Sequence, residues 1–134
     1  MRRLARALLS ATLVAVLAYL GVVAFFFTAQ RSLIYYPSPE VRAPELPGAT
    51  VSRAGALAVP VLTLPAAGDA WLVWFHGNAE QLADTTWLAE AMNLRGVDFA
   101  AVEYPGYGLA REGRPSEAAL LAAARVGIAA AASA

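Results

Sequence analysis

The chain has 134 residues, of which 59% are apolar and 15% charged, against about 45–50% and 25% in an ordinary globular domain. Its ten basic residues balance ten acids, and a nucleic-acid-binding domain would carry a basic excess, so that partner is excluded. All the basic residues are Arg and Cys is absent, which removes lysine and thiol nucleophiles, thiolate metal sites, disulfides and a lipidated cysteine. With a single His an all-histidine zinc site is excluded too, and neither a metal nor any other cofactor is expected.

Residues 1–6 form a basic leader carrying Arg2, Arg3 and Arg6. Residues 7–30 then run without a charge, and as a helix they extend roughly 36 Å, enough for a hydrocarbon core of about 30 Å. Twelve of them, from Leu8 to Phe27, are strongly apolar Leu, Val or Phe, and together favour insertion by about 4–7 kcal/mol. This is the pattern of a transmembrane anchor in contact with membrane lipid. Three Arg precede it and only Arg31 closely follows, so the positive-inside rule puts the N-terminus in the cytoplasm and the remainder outside. A cleaved signal peptide is the competing reading, because Val22-Val23-Ala24 fits a small-residue cleavage site. The run exceeds a usual 7–15-residue apolar region, however, and cleavage would leave Phe25 to Phe27 at the mature start.

Beyond Arg31 the chain carries six Arg against ten acids, a net of −4. Residues 31–58 read as a juxtamembrane connector: a short β-prone run with Tyr35 and Tyr36, then Pro37, Pro39, Pro44 and Pro47, which forbid a regular helix. It is expected to lift the following domain off the membrane. Residues 59–134 are read as that domain. Val59 to Leu64 has strand composition, but Pro60 demotes it to an edge or irregular strand.

Trp71-Leu72-Val73-Trp74-Phe75 is a continuous apolar run of strand length, as expected of a strand buried on both faces. Residues 79–95 follow the helical period, placing Leu82, Trp87, Leu88, Ala91 and Met92 on one face, with Gly96 as the stop. Val97 to Glu103 is a second strand, ended by Tyr104-Pro105-Gly106. Another helix starts after Ser116, which suits an N-cap, with Glu117 complementing the dipole. Strand, helix, strand, helix predicts a parallel pair with a right-handed crossover and an α/β class: a parallel sheet with flanking helices.

Ligands of such sheets bind beyond the carboxyl ends of the strands. Two loops leave that edge. In His76-Gly77-Asn78 a strand-to-helix turn directs backbone N–H groups outward, making Gly77 and Asn78 candidates for an oxyanion hole. His76 is read as support for the loop rather than as a proton-transfer group, since no activated Ser or Cys is in view. The second loop holds Tyr104, Gly106, Tyr107 and Gly108. With Gly113 it approaches a dinucleotide fingerprint, but Arg111 stands where that pattern needs glycine. Asp84, in mid-helix, and Asp98, at a strand start, are expected in solvent.

Trp71 to Glu80 (WLVWFHGNAE), Glu103 to Gly108 (EYPGYG) and Gly113 to Glu117 (GRPSE), in this order, resemble successive landmarks of the α/β-hydrolase superfamily. The nearest likeness is to its membrane-anchored Bem46-like and depalmitoylase-like serine hydrolases, and Gln30 to Pro37 resembles the segment after their anchor. The resemblance implies a sheet of the hydrolase kind, hydrolysis of an acyl ester or thioester, an oxyanion contact from the Asn78 backbone N–H, and Tyr104 to Gly108 lining the site entrance. Such enzymes use a Ser on a G-x-S-x-G elbow with a later Asp and His. None of Ser10, Ser32, Ser38, Ser52, Ser116 or Ser133 stands in that context, and the only His is in the loop. No catalytic residue is therefore assigned, and the chain reads as the N-terminal part of a hydrolase with an incomplete fold, inactive by itself and prone to aggregate. The alternative is a naturally truncated, non-catalytic membrane-anchored interaction module. N-terminal sequencing of the expressed protein is expected to return the leader, Met1 or Arg2; a mature start near Phe25 would exclude the anchor.

Overall fold

The computed structural model describes residues 1–133, which divide into two units, Met1–Ile34 and Tyr35 onward. The first is one helix, α1 (Arg2–Ile34), about 50 Å long at 1.5 Å per residue. None of it is buried, and it is long and apolar enough to cross a membrane. Two hydroxyls near its C-terminal end are satisfied internally: the Thr28 hydroxyl donates to the carbonyls of Ala24 and Phe25 at 3.0 Å, and Ser32 to Ala29 at 2.8 Å. Such back-bonding lowers the cost of a hydroxyl in an apolar surrounding.

The second unit is a four-stranded sheet of β1 (Thr50–Ala54), β2 (Val59–Leu64), β3 (Trp71–Phe75) and β4 (Asp98–Val102), in the order β1-β2-β4-β3. Its helices are α2 (Thr86–Asn93), preceded by a 3-10 turn at Leu82–Thr85, and α3 (Glu117–Ala132). β3 and β4 are parallel, as the sequence pattern predicts, with Phe75 opposite Val102. The sheet as a whole is mixed rather than parallel, because β1 and β2 form a hairpin and β2 also runs antiparallel to β4.

Pro60 does not put β2 at an edge. All but Thr63 of β2 is buried, between β1 and β4. The ladder with β4 runs from Val61↔Val102 to Leu64↔Phe99, so Pro60 falls just past its end. There the Pro60 carbonyl still accepts from Glu103 N at 2.9 Å, and only one bond at the ladder terminus is forgone. Conversely, Trp71–Phe75 is an edge strand, with Trp74 and Phe75 each 38% exposed, while β4 is the strand buried throughout.

The region read as a spacer is folded onto the domain. β1 lies within it, Leu46 packs against the core, and Arg42 pairs with Asp84. Arg111 donates to the Pro39 carbonyl at 2.8 Å. The helix expected over 79–95 is shorter, because residues 79–81 remain in the loop and 82–85 form the 3-10 segment. Leu82 and Ala89 are buried and Leu88 and Met92 partly so, but Trp87 is 67% exposed and leaves the predicted face. Gly96 adopts φ 73° after the helix, as a stop requires. Asp98 is buried instead of solvated, since the 65–70 loop folds back and the Ala66 N–H donates to its carboxylate.

The sheet separates two apolar layers. Leu62, Leu64, Phe99 and Ala101 pack with Leu82 and Ala89 on the α2 face; Val59, Val61 and Val102 pack with Ala123 on the α3 face. Ser116 caps α3 as predicted, its hydroxyl accepting from Ala119 N at 3.2 Å. α3 approaches β4 at Gly127, where a Cβ would overlap Val102 Cγ1. Helix propensity favours Gly127→Ala by about 1 kcal/mol, but overpacking against a stiff β-branched neighbour costs about 1–3 kcal/mol. Net destabilisation of α3 is expected, seen as faster hydrogen exchange of its amides in the full chain in detergent micelles; slower exchange would show that propensity wins.

Candidate active site

The two predicted loops meet at the carboxyl edge of β3 and β4, whose last residues are register partners. His76 follows β3 and Glu103 follows β4. The imidazole is fully buried and lies against Tyr104 and Tyr107, with ring centroids 4.5 and 5.5 Å away. Its Nε2 is 3.0 Å from Glu103 Oε1, and its Nδ1 is 3.0 Å from the Gly77 carbonyl oxygen. The other Glu103 oxygen accepts from Leu82 N at 3.3 Å and Leu109 N at 3.1 Å. A fully buried carboxylate is tolerated where it is paired and hydrogen-bonded in this way.

Asn78 holds the first loop to its surroundings. Its Oδ1 accepts from Tyr36 N at 2.8 Å, from the Tyr107 hydroxyl at 2.8 Å and from Ala79 N at 3.2 Å. Ala79 has φ 65°, a left-handed conformation uncommon for a residue with a Cβ. The Glu80 carboxylate accepts from Gly77 N at 2.6 Å while Glu80 N donates to Gly77 O at 3.3 Å. The Gly77 N–H is therefore engaged within the loop. The next residue, Gln81, is buried and ties the loop to the 35–49 segment, donating to Glu40 O at 3.1 Å and accepting from Arg42 N at 2.8 Å.

In the second loop Gly106 and Gly108 have φ 92° and 35°. A Cβ on Gly106 would lie 2.5 Å from Pro115 Cδ, and one on Gly108 would collide with the Glu103 carboxylate. Both glycines are thus required for backbone to pass this close to its neighbours. Tyr107 is 3% exposed and Tyr104 half-buried. All the predicted loop residues, His76, Gly77, Asn78, Tyr104, Gly106, Tyr107 and Gly108, come together at this edge. The sequence reading did not single out Glu103, Glu80 or Gln81 as site residues. An acid closing an apolar strand, directly before Tyr-Pro-Gly, was the available signal for Glu103.

Among the described residues no group of three or more His, Cys, Asp or Glu is placed to hold a metal ion. A scan against protein-family models finds no match, and searches of curated proteins and of solved structures find none either. The fold and site define an α/β domain with a buried, aromatic-flanked His-Glu pair behind a tightly bonded strand-to-helix loop.

Burial raises the Tyr104 phenol above its ordinary value, and the nearby Tyr107 adds to the effect. Burial likewise raises Tyr107; the Tyr36 backbone N–H opposes this and the Tyr35 phenol reinforces it. The unfolded chain ionises first, at about pH 10, so the stability from these protonated phenols is complete below that pH. It is lost as pH rises through the raised values. A phenolate absorbance titration of the native chain should lag that of the denatured chain, and Tyr107→Phe should remove one late-titrating group and draw Tyr104 back toward its ordinary value. Coincident native and denatured titrations would refute the burial assignment.

Proposed function

We propose that this chain is the N-terminal part of a membrane-anchored serine hydrolase acting on acyl esters or thioesters. In this reading α1 sits in membrane lipid with its N-terminus in the cytoplasm, and the sheet lies on the outer side. The observation that carries the reading is the His76-Gly77-Asn78 turn, held by three bonds to Asn78 Oδ1 and the two between Gly77 and Glu80. A rigid strand-end loop of this kind is what an oxyanion donor needs, because its dipole must be set before charge develops. The Gly77 N–H is engaged by Glu80, and the resemblance to the hydrolase loop is what reads the Asn78 backbone N–H as the oxyanion donor. Tyr104 and Tyr107 wall the approach.

The sheet leaves a place for the rest of such an enzyme. α2 and α3 lie on opposite faces. A right-handed crossover from β4 through α3 returns past β3, so a following parallel strand would add at the free β3 edge, where Trp74 and Phe75 are exposed. A nucleophile at the end of that strand would stand next to the Asn78 loop. The proposal is tested by the coding sequence past codon 134. An in-frame continuation with G-x-S-x-G, Asp and His is expected, and replacing its elbow Ser should abolish turnover of a short-chain nitrophenyl ester. An immediate stop codon, or turnover unchanged by the Ser replacement, would overturn it, the stop codon favouring an interaction module.

A further inference from the structure

We infer that Glu103 is a positioning residue that acts through His76 to set the orientation of the Gly77–Asn78 peptide, and with it the direction of the Asn78 amide. This rests on the reading of that amide as the oxyanion donor. The buried ring places Nδ1 3.0 Å from Gly77 O and Nε2 3.0 Å from Glu103 Oε1. A carbonyl oxygen only accepts, so Nδ1 must carry hydrogen. No hydrogen bond is formed by Nε2 or Oε1, which lie 3.0 Å apart, and so close an approach of two buried atoms requires a proton on one of them. The pair is then either imidazolium facing carboxylate or imidazole accepting from a carboxylic acid. Both arrangements are neutral as a unit, which avoids the cost of a lone buried charge, and both leave Nδ1 as the donor.

Glu103 is itself immobilised. Rotating its carboxyl would strand the amides of Leu82 and Leu109 that its second oxygen accepts. Tyr104 and Tyr107 flank the imidazole. A trans peptide is planar, with its C=O and N–H pointing in opposite directions. A donor fixed on Gly77 O therefore fixes where the Asn78 N–H points, and the chain of restraint runs from Leu82 and Leu109 through Glu103 and His76 to that amide.

The chain holds one His and one Gly-Asn pair, so in the full chain in detergent micelles nitrogen-labelled His yields a single pair of ring-nitrogen NMR signals, and carbonyl-labelled Gly with nitrogen-labelled Asn yields one diagnostic signal. In the native protein Nδ1 is expected to show the hydrogen-bearing shift; a bare Nδ1 overturns the proposal without any variant. In Glu103→Gln the amide oxygen keeps Leu82 and Leu109 while the amide nitrogen donates to Nε2. Nε2 is then a bare acceptor, and Nδ1 and the Gly-Asn signal should stay in place. In Glu103→Leu the ring loses its restraint, and the Gly-Asn signal should shift and broaden with loss of the single Nδ1–H form. An unmoved Gly-Asn signal in Glu103→Leu, with β4 amides still protected, overturns the proposal. If Glu103→Leu does not fold, Glu103→Gln decides: a displaced Gly-Asn signal, or loss of the hydrogen-bearing Nδ1 form, overturns it. None of these signals depends on ester turnover, so the hydrolase reading and the positioning role fail separately.

Discussion

The carboxylate of Glu103 is fully buried at the end of β4, and the geometry of the sheet's carboxyl edge depends on it. In an apolar interior such a group costs several kcal/mol unless its oxygens are occupied. Here one oxygen faces His76 and the other takes two backbone amides, from Leu82 at the start of the 3-10 turn and Leu109 in the loop after β4. The connection from β3 into α2 and the connection out of β4 are thereby drawn onto one side chain. Gly108 follows from the same constraint, since its backbone lies where any Cβ would strike that carboxylate.

The same edge is closed from a third direction. The proline-rich segment before β1 crosses it, with Tyr36 N on Asn78, the Glu40 carbonyl and Arg42 N on Gln81, and Arg111 on the Pro39 carbonyl. Proline keeps such a stretch out of helix and leaves its carbonyls available as acceptors. Side chains on both loops use them or the neighbouring amides. A segment that looks like a spacer by composition thus becomes part of the wall around the loop, and the Tyr107 hydroxyl that it helps to bury is directed at the same Asn78 oxygen.

Much of this was legible in residue order. The boundaries of β3, the limits of β4 to within a residue, the Ser116 cap, the Gly96 stop and the uncharged N-terminal run each rest on local chemistry: apolar periodicity, capping hydroxyls, a glycine's access to positive φ, hydropathy. The loops at 76–78 and 104–108 were found because strand ends in a parallel pair share an edge. The departures have non-local causes. Pro60 is tolerated because the β2–β4 ladder stops one residue short of it, and Asp98 is buried because a loop thirty residues earlier in the chain turns back upon it.

Composition and pattern alone therefore determine β3, β4, the start of α3, the anchor-like helix and the types of residue at the candidate site, since these depend on neighbours a few positions away. Strand order, the antiparallel hairpin that makes the sheet mixed, and the exchange of roles between β2 and β3 were decided by tertiary structure, because a strand's burial depends on which strands flank it. The pairing of His76 with Glu103, 27 positions later in the chain, belongs to the same class. Nothing in either residue's local sequence specifies the other; the parallel register of β3 and β4 brings both strand ends to one place, where the two buried side chains face each other.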